Sequence, residues 1–415
     1  MTARRVVITG MGCVNALGQN VEEFWENTKQ GRIGIAPVTG FDTEEFKVKV
    51  AAEIKDLDIC ASLSSKLAKR TERFTHLAII AAKEAVENSG LLMEREDPYR
   101  VGVCVSSGIG GLSCISKETL IMNERGANRV SPMTVPLVIG NMAPANIAMM
   151  FRMQGKCIGV TSACSTGTDS IGEAYLSVQG GQCDVMLAGG SDAIICPQGI
   201  AAFQQLQALT AEANPARASI PFDKDRSGFV MGEGAGVLVV EDLEHARKRG
   251  APIYGELIGY GCTNDAYHVT ASREDGEAAA KAMELAMENA DVFPEQISYI
   301  NAHGTSTYYN DLYETRAIKK AFGKYAYDIP INSTKSLIGH TLAGSGAMEA
   351  IVCLLSMRDS YLHVTAGLQE TEGECDLDYI KGTGRHLEVE VAMSNSFGFG
   401  GHNSILIFKK YKEQS

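Results

Sequence analysis

Short β-branched runs alternate with helical patterns along the whole chain, and the alternation is written twice, which points to a duplicated α/β architecture. The first set of predicted strands is Arg5–Thr9, Val101–Ser106, Cys157–Ser162, Asp184–Ala188 and Gly236–Glu241. The second is Tyr254–Gly259, Ile297–Ala302, Ile329–Ser333, Glu388–Ser394 and Ser404–Phe408. Between the first strands, Phe74–Ser89 carries Leu77, Ile80, Ala81 and Ala85 at helical steps, with Gly90 as a stop. The same interval of 73 residues separates Cys164 from Val237 and Ser333 from Leu406. The stretch Arg226-Ser-Gly-Phe-Val-Met-Gly-Glu-Gly-Ala-Gly-Val-Leu-Val-Val also echoes Asn395-Ser-Phe-Gly-Phe-Gly-Gly-His-Asn-Ser-Ile-Leu-Ile-Phe. No Pro/Ser-rich linker or charge run divides the halves. A shared core is therefore expected, with halves at residues 3–250 and 251–412.

The 415 residues suffice for a large core, and 45% hydrophobic with 21% charged residues is the balance of an ordered globular protein. The 11 cysteines are odd in number and contain no C-x-x-C pair, which argues against a disulfide framework and a structural zinc site. A formal charge of −12 disfavours nucleic acid and anionic membrane as general partners. Arg4-Arg5 precedes only a strand-length apolar run, too short for a signal peptide core, and no stretch reaches the roughly 18 apolar residues of a membrane span. A reducing cytoplasm is the expected location. Against the acidic background, Lys66, Lys69, Arg70 and Arg73 recur at three- and four-residue steps, as on one helix face. On spacing alone that face is better read as an ordinary solvated surface.

The chemistry-bearing segments follow predicted strands. Cys164 lies in Val160-Thr-Ser-Ala-Cys-Ser-Thr-Gly-Thr, where an apolar strand runs into small residues and then a helical run. A thiol at a helix N-terminus lies in the positive end of the helix dipole, which favours the thiolate nucleophile. The ordinary reading of any one cysteine is a small buried apolar side chain. His303, in Asn301-Ala-His-Gly-Thr-Ser-Thr, and His340, in Asn332-Ser-Thr-Lys-Ser-Leu-Ile-Gly-His, differ from His76, His245, His363 and His386 by their Gly/Ser/Thr loops. Paired histidines can donate hydrogen bonds to a developing oxyanion. Lys335 is flanked by Ser333, Thr334 and Ser336, and spacing alone leaves it equally a surface or a functional lysine. Gly398-Phe-Gly-Gly lacks the Gly-Lys-Ser ending of a phosphate loop, so no nucleotide site is read there.

Together, Ala163-Cys-Ser-Thr-Gly, Ala302-His-Gly-Thr-Ser-Thr, Thr334-Lys-Ser-Leu-Ile-Gly-His and Asn395-Ser-Phe-Gly-Phe-Gly-Gly resemble the β-ketoacyl-(acyl carrier protein) synthases, the synthase II group above all. The resemblance runs from Arg5 to about Lys409. It implies the thiolase-like fold, two duplicated βαβαβ-type halves in a five-layered α-β-α-β-α arrangement, and a homodimer. It further implies Cys164 as acyl acceptor, the backbone N–H groups of Cys164 and Phe399 as oxyanion hole, His303 and His340 on the malonyl thioester, and Lys335 organising charge around His303. The same resemblance places Phe397, Phe399 and Asp265 around the oxyanion hole and its gate. Thr270, Thr305 and Thr307 would contact phosphopantetheine, and Ile109, Phe203 and Met133 would line the acyl pocket. Lys66, Lys69 and Arg70 would dock an acyl carrier protein in its acyl and malonyl forms. No free cofactor or metal is implied, because phosphopantetheine arrives on the carrier.

Three positions depart from the family pattern: Tyr308-Tyr309 stands where Pro-Leu is usual, Met133-Thr134 where paired phenylalanines are common, and Asp169 where His or Asn is frequent. Asp169 also occurs in ketosynthase subunits of aromatic polyketide systems. The expected function is therefore decarboxylative condensation in fatty acid elongation, and the alternative is a ketosynthase subunit working as a heterodimer with a chain-length-factor partner. A silent partner subunit is disfavoured by the presence of Cys164. A degradative thiolase is disfavoured because Cys375 lies in Glu374-Cys-Asp and not before glycine.

Overall fold

The first strand, β1 (Val6–Val14), runs past the Arg5–Thr9 segment expected from its apolar start because its glycines are packing positions and not a stop. A Cβ on Gly10 would lie 2.2 Å from the carbonyl oxygen of Ala85, and one on Gly12 2.0 Å from that of Ala81. Both carbonyls belong to α1 (Arg73–Ser89), which Gly90 ends at φ +64°. Glycine here lets a helix backbone rest directly on the strand. The arrangement recurs in the second half, where Gly259 and Gly261 would meet the carbonyl oxygens of Ala286 and Ala282 at 2.5 and 2.1 Å.

The computed structural model describes residues 3–413. After α1 come β2 (Val101–Ser106), α2 (Met142–Phe151), α3 (Thr166–Gln179), β3 (Val185–Asp192) and β4 (Gly234–Asp242). The second half holds β5 (Gly255–Asn264), α4 (Glu277–Ala290), β6 (Tyr299–Asn301), α5 (Tyr308–Phe322) and β7 (Ile331–Asn332). It closes with α6 (Ala343–Asp359), β8 (Val391–Gly398) and β9 (His402–Lys409).

Strand order across the sheet is β2-β3-β4-β1-β5-β9-β8-β6-β7. The first half reads β2-β3-β4-β1, and Cys157 bridges Val103 in parallel at its outer edge. The second half reads β7-β6-β8-β9-β5 in the same topological sequence, with β7 in the place of the Cys157 segment. The two units meet where β1 pairs antiparallel with β5, through Val6–Leu257, Val7–Glu256 and Ile8–Gly255. The strand expected over Cys157–Ser162 is reduced to that one bridge, since Val160 N–H turns to the Ser106 hydroxyl at 3.0 Å instead of extending a ladder.

Helices α1 and α2 cover the outer face of the first half, and α4 with α5 packed on it covers the outer face of the second. Between the halves lie α3 and α6, each touching strands of both. These are the five layers of the thiolase-like fold. Every residue of α6 from Ala343 to Met357 is buried, as a helix between two sheets requires. α3 and α6 approach closely: a Cβ on Gly167 would lie 2.3 Å from the Ala343 carbonyl oxygen, and one on Gly346 2.0 Å from the Thr168 hydroxyl. Among the described residues no helix is long and apolar enough to cross a membrane.

Because the glycines of β1 and β5 meet helix backbone in the same way, Gly12→Ala and Gly261→Ala should each overpack the interface and destabilise by about 1–3 kcal/mol. Urea unfolding midpoints of the two variants check this, and a midpoint unchanged in either would contradict the equivalence of the two interfaces.

Candidate active site

Cys164 sits on the single 3-10 turn Ala163–Ser165 that opens into α3. Ala163 adopts φ +52°, a left-handed conformation unusual for a residue with a side chain, so the turn is sharp and strained. The Cys164 thiol is almost fully buried at the floor of a cavity of about 420 Å³. The backbone N–H groups of Phe399 and Cys164 lie near its sulfur and favour its anion. Phe399 is presented by the turn joining β8 to β9, where Gly400 and Gly401 lie at φ +92° and +79°, values that exclude most other residues.

His303 follows β6, and its loop is fixed by Glu314 of α5, whose carboxylate accepts from His303 N–H at 2.9 Å and Gly304 N–H at 2.8 Å. His340 is held by its own N–H on the Val230 carbonyl at 2.7 Å. The two imidazoles lie edge to face with centroids 5.4 Å apart, backed by Phe397 and Phe229. Their tautomers follow from their partners. The Leu342 N–H donates to His340 Nδ1 at 3.3 Å, and the Lys335 ammonium donates to His303 Nδ1 at 3.3 Å. Each ring therefore carries its proton on Nε2. His340 Nε2 finds no acceptor among the described residues.

Burial, then the charge of Lys335, holds both imidazoles well below their ordinary range, with His340 adding to the effect on His303. Both rings are thus neutral hydrogen-bond donors at neutral pH. Lys335 is itself buried and pairs with Glu349 of α6 at 2.5 Å. Removing either partner would leave a buried charge uncompensated, at a cost of about 3–5 kcal/mol. Asp192, at the end of β3, accepts from the Ser107 hydroxyl at 2.5 Å and Ala343 N–H at 3.0 Å, joining the loop before Ile109 to the start of α6. Burial pushes its carboxyl up to about 6 and that of Glu314 up to about 7.

The thiolate expected for Cys164 at rest is corrected by its burial, which pushes the thiol up to about 11 and outweighs the lowering by Lys335 and the two N–H groups. A helix end favours the anion, but a site closed from water disfavours it more.

Thr270, Thr305 and Thr307 all line the cavity, and the last two share a hydroxyl hydrogen bond of 2.9 Å. Phe397 and Phe399 line it too. Asp265 lies beneath the Phe399 turn, accepting from Asn403 Nδ2 at 2.8 Å and Arg273 N–H at 3.0 Å. Phe203 stacks on Phe399 with centroids 6.4 Å apart. Ile109 and Met133 are not brought to this cavity: Ile109 is 39% exposed, and Met133 is half-buried at the start of the short helix Thr134–Val138. Lys66, Lys69 and Arg70 are exposed and form no ion pair among the described residues. The single basic helix face is corrected, because the helix spans only Ser65–Ala68 and Arg73 is withdrawn into a pair with Glu233 at 2.6 Å.

The four histidines that sequence set apart from His303 and His340 have structural partners or face solvent. His76 contacts the Ala68 carbonyl, His245 bridges Glu241 and Glu96, His363 meets Thr334, and His386 is exposed. Sequence reasoning missed Glu349, Glu314 and Asp192. Glu349 had a signal, as a lone carboxylate inside the small-residue and apolar run Gly344–Leu355, where only a buried counter-charge makes it tolerable. Phe229, Tyr267 and Tyr313 also line the cavity without having been singled out.

Residues 3–246 match the family described as the β-ketoacyl synthase N-terminal domain and residues 254–369 that described as its C-terminal domain. The chain is 44% identical over 410 residues to a 3-oxoacyl-[acyl-carrier-protein] synthase 2 of Synechocystis, covering 99% of both. In structure it is similar to the ketosynthase complex of a type II polyketide acyl-carrier protein, at a TM-score of 0.92 and 32% identity, covering 99% of this chain and 100% of that one. It is also similar to the ishigamide ketosynthase/chain length factor, at 0.93 and 33%, with the same coverage.

With the thiol raised to about 11, iodoacetamide alkylation of Cys164 should accelerate about tenfold per pH unit between about pH 7 and about pH 9.5. Mass-spectrometric rates check this, and a plateau within that window would show an already ionised sulfur.

Proposed function

This chain belongs to the β-ketoacyl synthase family, and we infer from that membership and the site that it is a condensing acyltransferase of the 3-oxoacyl-(acyl carrier protein) synthase 2 type. It joins an acyl thioester to malonyl-(acyl carrier protein) in fatty acid elongation. The observation that carries the reading is the meeting of Cys164, from the first half, with His303 and His340, from the second, at the floor of one cavity.

In the mechanism we propose, Cys164 attacks the carrier-bound acyl carbonyl while the N–H groups of Cys164 and Phe399 receive the developing oxyanion. The thiol proton leaves with the departing pantetheine sulfur, so the step balances without a resident base. Malonyl carrier then occupies the cavity, its thioester oxygen accepting from the Nε2–H groups of His303 and His340. Loss of CO₂ leaves an enolate, which the two neutral donors stabilise. The enolate carbon attacks the acyl-cysteine, the C–S bond breaks, and one proton from solvent restores the thiol. Lys335, locked to Glu349, keeps His303 in the Nε2–H tautomer.

Phosphopantetheine would pass Thr270, Thr305 and Thr307 as a covalent part of the carrier, so no dissociable cofactor is invoked. We assign carrier docking to Lys66, Lys69 and Arg70 on charge complementarity with an acidic carrier. A homodimer is supported by exposed apolar side chains in the first half, Val135 and Met149 at 66% and 67% and Ile139 and Ile109 at 39% each. A second copy there would place Ile109 and Met133 in a shared acyl-pocket wall. The cytoplasm is the compartment we assign, and we read residues 3–250 and 251–412 as the duplicated units.

Asp169 favours a second reading, a ketosynthase subunit that requires a chain-length-factor partner. Mass spectrometry of the protein alone, given acyl carriers of graded length and then malonyl carrier, separates the two. Acylated Cys164 followed by a 3-oxoacyl product two carbons longer supports the elongating enzyme. Acylation only after addition of a partner subunit supports the second reading. Cys164→Ala should abolish condensation, a loss of about 10⁴-fold or more, while CO₂ release from malonyl carrier persists. Elongation retained in that variant would overturn the nucleophile assignment.

A further inference from the structure

We propose that Asp169 is a positioning residue for acyl transfer, which holds the two halves of the oxyanion hole together through Ser162 and Ser165 and is itself anchored by Tyr260. The proposal rests on the reading of Cys164 as acyl acceptor. Asp169 lies in the first turn of α3 and is buried. One of its carboxylate oxygens accepts from the Ser162 hydroxyl and lies 3.2 Å from the Ser165 hydroxyl, whose one proton is shared between that oxygen and the Ser162 carbonyl oxygen. These serines bracket Ala163 and Cys164, so the carboxylate ties together the two ends of the strained turn. The Ser165 hydroxyl also lies 2.8 Å from the Ser162 carbonyl oxygen.

The other half of the oxyanion hole rests on the same turn. A Cβ on Gly398, the residue before Phe399, would lie 2.4 Å from the Ser162 carbonyl oxygen, 3.1 Å from the Ser165 hydroxyl and 3.3 Å from Cys164 N. The β8–β9 turn is thereby seated against the Ser162–Ser165 turn, and its register sets where the Phe399 N–H points. A shift of about 1 Å in one donor can cost about 100-fold in rate.

The second carboxylate oxygen of Asp169 accepts from the Tyr260 hydroxyl at 2.8 Å. Tyr260 belongs to β5, in the other half of the chain. Its ring fills a notch in α3 at Gly172, where a Cβ would lie 2.4 Å from the ring carbons. Glycine inside a helix is unfavourable by about 1 kcal/mol relative to alanine, and here it admits the ring that fixes the carboxylate. Gly172, Tyr260, Asp169, Ser162, Ser165 and Gly398 form one continuous brace behind the nucleophile.

The test compares two reactions of Cys164 in the purified full-length enzyme. Acyl transfer from octanoyl-N-acetylcysteamine builds an oxyanion that the hole must receive, whereas alkylation by iodoacetamide forms none. Asp169→Ala should slow acylation about 10- to 100-fold and leave alkylation within about threefold. Asp169→Asn should restore acylation to within about threefold, because its amide oxygen can accept from the serines and its NH₂ can donate to the Tyr260 hydroxyl. Wild-type acylation in Asp169→Ala overturns the proposal, and so does a joint loss of acylation and alkylation. An Asn variant as slow as Ala also overturns it, since that would identify the helix-end charge as what matters. If Asp169→Ala does not fold, Tyr260→Phe decides: acylation slowed several-fold supports the brace, and an unchanged rate overturns it. A wild-type enzyme acylated by the small thioester yet inert toward carrier-bound chains would contradict the functional reading and leave the positioning role standing.

Discussion

The close approach of α3 and α6 between the two halves is the contact on which the site depends. Each helix surrenders a side chain at the crossing, α3 at Gly167 and α6 at Gly346, so that backbone meets backbone and hydroxyl. Cys164 stands at the start of one helix, and Glu349, which fixes Lys335, lies in the other. A larger residue at either glycine would separate the nucleophile of the first half from the histidines of the second. The fold thus makes a single site from two similar units by stacking them on one pair of helices.

Burial governs the chemistry of that site and acts on every group in it. It keeps His303 and His340 neutral, raises the Cys164 thiol, and makes the charge of Lys335 acceptable only beside Glu349. The consequence is a site with few mobile charges. Carbonyl oxygens that become anionic during condensation meet preoriented N–H donors in a medium where such donors act strongly. A protonated imidazole would bring more charge, but its desolvation would have to be offset first.

Much of this was legible in the sequence for particular reasons. Short apolar runs between turns located most of the strands, and the matched interval from Cys164 to Val237 and from Ser333 to Leu406 marked the same step of the topology in each half. Where expectation failed, the failure had a cause. The strand expected over Arg5–Thr9 stops short of Gly10 because a glycine that receives a helix backbone looks, in one dimension, like a turn. Arg73 was grouped with Lys66, Lys69 and Arg70 because helical spacing does not reveal the break after Ala68 or the partner Glu233 far along the chain.

The sequence by itself determined the α/β class, the duplication and the residue types available for acyl chemistry, because periodicity, turn residues and small-residue loops are local properties. Only the tertiary structure decided which charges are paired, which thiol is shielded, and that Ile109 and Met133 do not line the cavity that holds Cys164. Those outcomes depend on desolvation and on contacts between residues far apart in the chain. Neither has a signature at the level of spacing.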